Sequence, residues 1–202
     1  MLILNKIIGS GYTRNCYKHP YDKNLCVKIE LKPDANSYEL HVYDLVKSLI
    51  PGQIAKIYST VIETDKGPGI TSQLIRNETD ENISPNFHEY KLSGDFKQIE
   101  ASLNRIIKRV IARDIFFFDF NLGNFVVQTL SNGSKKVWLI DVKSLNRTGY
   151  EGFLHLERIF APLARIIMFR RIRRLYKMVG LIFPFDDLCR KKFFSTLFVT
   201  VK

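Results

Sequence analysis

The sequence predicts an α+β protein of two lobes: a small antiparallel β lobe with one helix over residues 1–76, then a mainly helical lobe over residues 77–202. Three observations carry this. The first 75 residues hold several runs rich in β-branched side chains, separated by turn signals. Residues 95–114 repeat apolar side chains at helical spacing. Between these regions "RNETDENISPN", residues 76–86, is polar, contains proline and has no periodicity, so it reads as a linker. A chain of 202 residues can bury a core without disulfide or metal staples.

Residues 2–9 and 24–31 read as strands, with "CYKHPYDKN" between them as the turn, so the chain opens on an antiparallel pair. Asn36 or Ser37 is a candidate N-cap for the helix "SYELHVYDLVKSLI", which stops at Pro51-Gly52. "IAKIYSTVIET" and "GITSQLI" form a second hairpin around "DKGPG". In the second lobe Phe96, Ile99, Leu103, Ile106, Ile107, Val110 and Ile111 make one apolar helix face. "IFFFDFNLGNFVVQTL" and "KKVWLIDVKSL" follow as β-like runs joined by "SNGS". From Leu156 to Ile167 the apolar residues share one helix face, and from Met168 to Val179 they share the opposite one, which predicts a break near residue 168 or burial on two sides. The helix ends near Gly180, and residues 181–202 are a short helix or irregular packing.

The formal charge is +11, and residues 165–177 alone carry Arg165, Arg170, Arg171, Arg173, Arg174 and Lys177. Such an excess implies an anionic partner. Nucleic acid is not expected, because no zinc finger, helix-turn-helix or RNP-like run accompanies the charge. The three cysteines are odd in number and lack ligand spacing, which excludes a zinc site or a disulfide framework and suits a reducing cytosol. No stretch approaches the roughly 18 apolar residues of a spanning helix.

Three elements carry candidate chemistry. Gly9 and Gly11 let the backbone approach a ligand and turn free N–H groups toward phosphate, although a plain β-turn needs the same residues. Lys28, inside an apolar strand, is either a solvated edge residue or an ammonium aimed at the same anion. Asp119 follows "IFFF" and Asp141 ends "VWLID", positions where a carboxylate is costly unless hydrogen bonds, a cation or a metal compensate it. Each aspartate on its own reads equally well as a strand-end cap.

Taken in order, the glycine pair, Lys28, a helix bearing Glu39, a second hairpin, a linker, a helix, Asp119 with Asn124 five positions on, and Asp141 resemble the protein-kinase-like superfamily. More closely, "GSGYTRNCYKHPYDKNLCVKI" with "VIETDKGPG" is similar to the YrbL family of bacterial PhoP regulatory network proteins, up to about residue 145. The resemblance implies ATP and Mg2+ as cofactors. It assigns Gly9 and Gly11 to the loop over the phosphates, Lys28 to the phosphate-binding strand, Glu39 to its ion pair, Asp119 to catalysis, and Asn124 and Asp141 to magnesium.

The sequence also departs from that pattern. Arg14 stands in place of a third loop glycine, so the loop is stiffer or its guanidinium itself meets phosphate. Phe117 and Phe118 replace His-Arg before Asp119, Asn121 replaces a lysine, and "DVK" replaces Asp-Phe-Gly. About a dozen residues separate Asp141 from the next helical pattern, with no Ala-Pro-Glu, which leaves little room for a peptide platform. The expectation is therefore a phosphotransferase acting on a hydroxyl of a small molecule or envelope glycolipid sugar. The alternative is a pseudokinase serving as a nucleotide-binding or regulatory interaction module. Arg170, Arg171, Arg173, Arg174 and Lys177 would lie on one helix face, suited to an anionic membrane surface. A cytoplasmic protein, peripheral at the inner membrane through that face, is the expected setting.

Overall fold

A computed structural model describes residues 1–113, 120–142 and 161–199. The α+β expectation holds. The first lobe is one antiparallel sheet of β1 (Ile7–Ser10), β2 (Arg14–Lys18), β3 (Leu25–Glu30), β4 (Ile57–Thr64) and β5 (Gly67–Gln73), in the order β1-β2-β3-β5-β4.

One expected pairing is corrected here. Residues 2–9 do not pair directly with 24–31, because β2 lies between them with Cys16 opposite Lys28. The stretch taken as a turn starts as a strand because Tyr17 is buried with Leu4, Val27 and Ile29, an apolar layer worth more than an exposed loop. The turn itself shrinks to residues 19–24. There His19 Nδ1 accepts from the N–H groups of Tyr21 and Asp22 at 3.3 and 3.0 Å.

Helix α1 (Ala35–Val46) crosses behind the sheet. Neither Asn36 nor Ser37 caps it; Asp34 stands at the N-cap with φ 62° and no side-chain cap bond. Asn36 instead turns inward, and its Nδ2 donates to the Lys28 carbonyl at 3.3 Å. The second hairpin forms as expected, turning at Asp65-Lys66 where Gly67 takes φ 104°.

A short helix the sequence reading left out, α2 (Phe87–Ser93), begins directly after the expected linker, fixed by a reciprocal capping box between Asn86 and Glu89. A 3-10 turn (Phe96–Ile99) leads into α3 (Glu100–Ala112), whose Leu103, Ile106, Ile107, Val110 and Ile111 are buried as its periodicity requires. Strands β6 (Phe125–Thr129) and β7 (Lys135–Leu139) pair antiparallel. Helix α4 (Ala161–Met178) runs unbroken through residue 168, so no break occurs there. It closes on Gly180, φ 70°, with the Leu181 N–H donating to the Tyr176 carbonyl at 2.9 Å. Residues 186–199 resolve into a further helix, α5 (Asp186–Val199).

The largest apolar cluster among the described residues joins the lobes. It runs from Val42, Val46 and Ile70 through Leu103 and Ile107 to Ile172 and Leu175. A second tie is polar: the Leu139 N–H donates to the Gln53 carbonyl at 2.8 Å, and the Ala55 N–H donates to the Leu139 carbonyl at 2.9 Å. The end of β7 is thereby stitched to the segment after α1.

Candidate functional site

Strand parity decides where Lys28 goes. Val27 and Ile29 enter the apolar layer with Leu4 and Tyr17, so Cys26 and Lys28 must point from the opposite face, toward the second lobe. Because β3 is central, between β2 and β5, Lys28 is not an edge residue and is only 8% exposed. On α1, Glu39 lies three and seven residues before the buried Val42 and Val46 and therefore shares their inward face. The two meet: Lys28 Nζ donates to Glu39 Oε1 at 2.8 Å, and Glu39 is fully buried.

The second lobe contributes the end of its hairpin. Lys28 Nζ also donates to the Ile140 carbonyl at 3.1 Å, one residue before Asp141. The Ile140 N–H in turn donates to the Asn124 carbonyl at 3.0 Å. Asn124 and Asp141 thus sit at neighbouring ends of β6 and β7, as the Phe125–Leu139 pair dictates. An aspartate and an asparagine are hard oxygen donors, and magnesium takes one or two carboxylates and completes its shell with phosphates and water, so these residues fit that ion.

Arg14 is a residue whose part in the site the sequence did not settle. It enters from β2, nearly buried, and forms ion pairs with both Glu39 and Asp141, the latter at 3.3 Å. Two cations and two carboxylates therefore form one cluster of zero net charge spanning both lobes. A cation already sits on Asp141, so a metal there requires the guanidinium to move off that carboxylate. Burial pushes the Lys28 ammonium down to about 8, the Arg14 guanidinium adds to this, and Asp141 opposes it.

The glycines divide. Gly9 is inside β1, opposite Cys16, while Gly11 forms the turn and its N–H is taken by the Arg14 carbonyl at 2.8 Å. The Gly11 N–H is therefore engaged within the turn, contrary to the expectation of a donor facing phosphate. Neither glycine has a positive φ, and a Cβ would meet only ordinary contacts, Cys16 Cβ at 3.8 Å from Gly9 and the Arg14 carbonyl at 3.5 Å from Gly11. Nothing in the fold itself demands a glycine at either position.

Beside β1 lies a cavity of about 170 Å³ between the lobes, walled by Ile8, Gly9, Ile75, Val126 and Ile140 and reaching Lys28. It is smaller than the roughly 300–1,000 Å³ of whole-ligand pockets. Cys16 and Cys26 also line it. Their thiols are hydrogen-bonded to one another, which holds Cys16 far above and Cys26 below the usual thiol value. All three cysteines are free thiols.

Asp119 lies outside the described residues. Its neighbour Phe120 is buried, and Asn121 caps the 3-10 turn Leu122–Asn124 by accepting from the Gly123 N–H at 3.1 Å. On α4, Arg170, Arg171, Arg173, Arg174 and Lys177 are exposed while Met168, Phe169, Ile172, Leu175, Tyr176 and Val179 are buried. Arg173 is tied to Asp186 of α5 at 2.6 and 3.0 Å. Among the described residues no helix is long and apolar enough to cross a membrane.

The fold and site define an α+β protein with a buried lysine–glutamate pair joined to an aspartate of the following lobe. The family described as PhoP regulatory network protein YrbL matches residues 1–179, and the chain belongs to that family. No curated protein matches it.

Proposed function

We propose that this chain is an ATP- and magnesium-dependent phosphotransferase of protein-kinase-like design, acting on a hydroxyl of a small molecule or envelope glycolipid sugar. The observation that carries the reading is the cluster of Lys28, Glu39, Arg14 and Asp141, which lie far apart in sequence, beside an interlobe cavity that Lys28 lines. A base would enter between Ile8 and Val126, with the phosphates passing under Gly9. Lys28, held by Glu39 and the Ile140 carbonyl, would neutralise charge on the phosphates without having to reorganise. Asn124 and Asp141 would hold magnesium, which when bound supplies charge neutralisation of the transferred phosphoryl group. Asp119, two residues before Asn121 in the sequence, would orient the acceptor hydroxyl and take its proton. Arg14 would exchange Asp141 for a phosphate oxygen when nucleotide arrives, the guanidinium being suited to either anion.

A cytosolic setting with α4 resting on the inner membrane belongs to the same proposal, supported by the free thiols and the basic helix face. The pseudokinase reading has its own supporting observation, Arg14 on Asp141, which would keep the metal position filled by a side chain. Calorimetric titration with ATP and magnesium, followed by an ATP turnover assay, separates these. Phosphotransfer requires magnesium-dependent binding and turnover, with turnover lost in Asp141→Asn and binding lost in Lys28→Met while both variants stay folded. Binding without turnover in the wild type would favour the pseudokinase. Absence of binding would reject phosphotransfer and the nucleotide-binding module and leave the regulatory interaction module.

A further inference from the structure

Strand register brings two thiols to one wall of the interlobe cavity. Cys16 of β2 stands opposite Lys28 of β3, and Lys18 stands opposite Cys26, so Cys16 and Cys26 are diagonal neighbours across the β2–β3 ladder. Cys26 and Lys28, two residues apart, share one strand face, and Cys16 shares it from the neighbouring strand. Both cysteines line the cavity of about 170 Å³ that Lys28 also reaches. Neither is in a disulfide. The two thiols are hydrogen-bonded to one another, and Cys26 Sγ donates onward to the Ser72 carbonyl at 3.4 Å. Cys26 is buried and Cys16 half-buried, so the cavity offers an approach to both sulfurs. Neither thiol has a part in the proposed phosphotransfer.

Two chemistries can join such a pair, and their lengths decide between them. A disulfide needs sulfurs about 2.0 Å apart and Cα atoms usually within about 6.8 Å, whereas diagonal neighbours in an antiparallel ladder stand about 7–8 Å apart. A direct bond would therefore strain the ladder. Two metal–sulfur bonds, each about 2.3 Å when zinc is the ion, let the sulfurs stay up to about 4.6 Å apart, nearer the spacing of thiols in non-bonded contact. Zinc itself calls for four ligands, and among the described residues no group of three or more His, Cys, Asp or Glu is placed to hold a metal. A soft monovalent ion is satisfied by two thiolates in line. We propose that Cys16 and Cys26 form a two-thiolate site for such an ion, copper(I) being the biological member of the class. Binding replaces two S–H bonds by two metal–sulfur bonds and releases both protons to solvent. No atom changes oxidation state, and the product is a singly charged anion. The Lys28 ammonium, on the same sheet face, offsets that charge. An ion held there would compete with nucleotide for the cavity; that competition rests on the phosphotransferase reading, and the thiolate site does not.

The test uses the full, reduced chain and copper(I) buffered by bicinchoninate in the absence of oxygen. Binding is followed by the ultraviolet thiolate-to-copper absorption of wild type, Cys16→Ser, Cys26→Ser and the control Cys189→Ser, with the denaturation midpoint checked in each. Should the buried Cys26→Ser fail to fold, the half-buried Cys16→Ser carries the comparison. The site requires one ion per chain with two sulfur neighbours in X-ray absorption. It also requires that Cys16→Ser and Cys26→Ser each lose more than the roughly 10–100-fold that an outer-shell partner is worth, while Cys189→Ser matches wild type. Unchanged affinity in Cys16→Ser, equal losses in all three variants, or failure to take copper from bicinchoninate overturns the site. A Cys16–Cys26 disulfide formed by hydrogen peroxide in a chain that takes no copper overturns it in favour of the direct bond. ATP with magnesium is then titrated with and without the ion. Copper that weakens ATP binding roughly tenfold or more supports both the site and the competition. Copper binding with ATP affinity unchanged keeps the site and rejects the competition. Copper binding in a chain that takes no ATP keeps the site and rejects the nucleotide reading, and ATP binding without copper binding does the reverse.

Discussion

Replacing Glu39 with glutamine keeps the shape of the side chain and removes its charge, leaving Lys28 and Arg14 to share Asp141 alone. Glu39 is fully buried, Lys28 Nζ lies 2.8 Å from it, and Arg14 pairs with its other oxygen. Removing one partner of a buried ion pair costs about 3–5 kcal/mol, because the charge left behind has lost both its water and its counterion. Against a total stability of about 5–15 kcal/mol such a loss is large but survivable. Urea denaturation at pH 7 should show the midpoint falling with little change in slope. Adding Lys28→Met should recover part of the loss, since one cation, Arg14, then faces one carboxylate, Asp141. The loss should also shrink above pH 8, where Lys28 can discharge and Arg14 cannot. A loss below about 1 kcal/mol, the value of an exposed pair, would refute the idea that this cluster is desolvated.

Three further predictions concern the same region. Lys28 releases its proton near pH 8 when folded and near 10.5 when unfolded, so the unfolded chain binds more protons between those values; the stability of the nucleotide-free wild type relative to Lys28→Met should rise across that window by about 3 kcal/mol, and a flat difference would contradict the burial argument. Gly9→Ala should leave the melting temperature essentially unchanged, since its Cβ meets only Cys16 at 3.8 Å, yet weaken ATP binding roughly tenfold; an equal affinity would mean that no phosphate passes close to this backbone. Cys16 and Cys26 should react with a maleimide more slowly when ATP fills the cavity they line, as read by mass spectrometry, while Cys189, buried in the main core, shows no nucleotide dependence. Loss of labelling at all three together would indicate general stabilisation and not occupancy.

Several elements were legible because their signals are local. The period of α3 and the turn chemistry of the β4–β5 hairpin do not depend on what packs against them. Strand β2 was missed because its own sequence carries Pro-Asn turn chemistry just downstream, and only Tyr17 meeting Leu4 and Val27 favours a strand. The continuity of α4 was likewise hidden: its apolar pattern switches sides near residue 168, and a helical wheel does not reveal that the backbone stays helical across the switch.

The sequence by itself determined the order of lobes, the amphipathic faces and the presence of a lysine, a glutamate and an aspartate in that order along the chain. It left Lys28 open between a solvated edge residue and an anion ligand, and Asp141 between a strand-end cap and a metal ligand, because burial and pairing are properties of a residue's surroundings. Tertiary structure decided that Lys28 belongs to a central strand, that Glu39 faces it and that Arg14 bridges Glu39 to Asp141. The physical reason is that charges gain from one another only when folding excludes water from between them, and residues 14, 28, 39 and 141 meet only when the sheet, α1 and the β6–β7 hairpin close over one core.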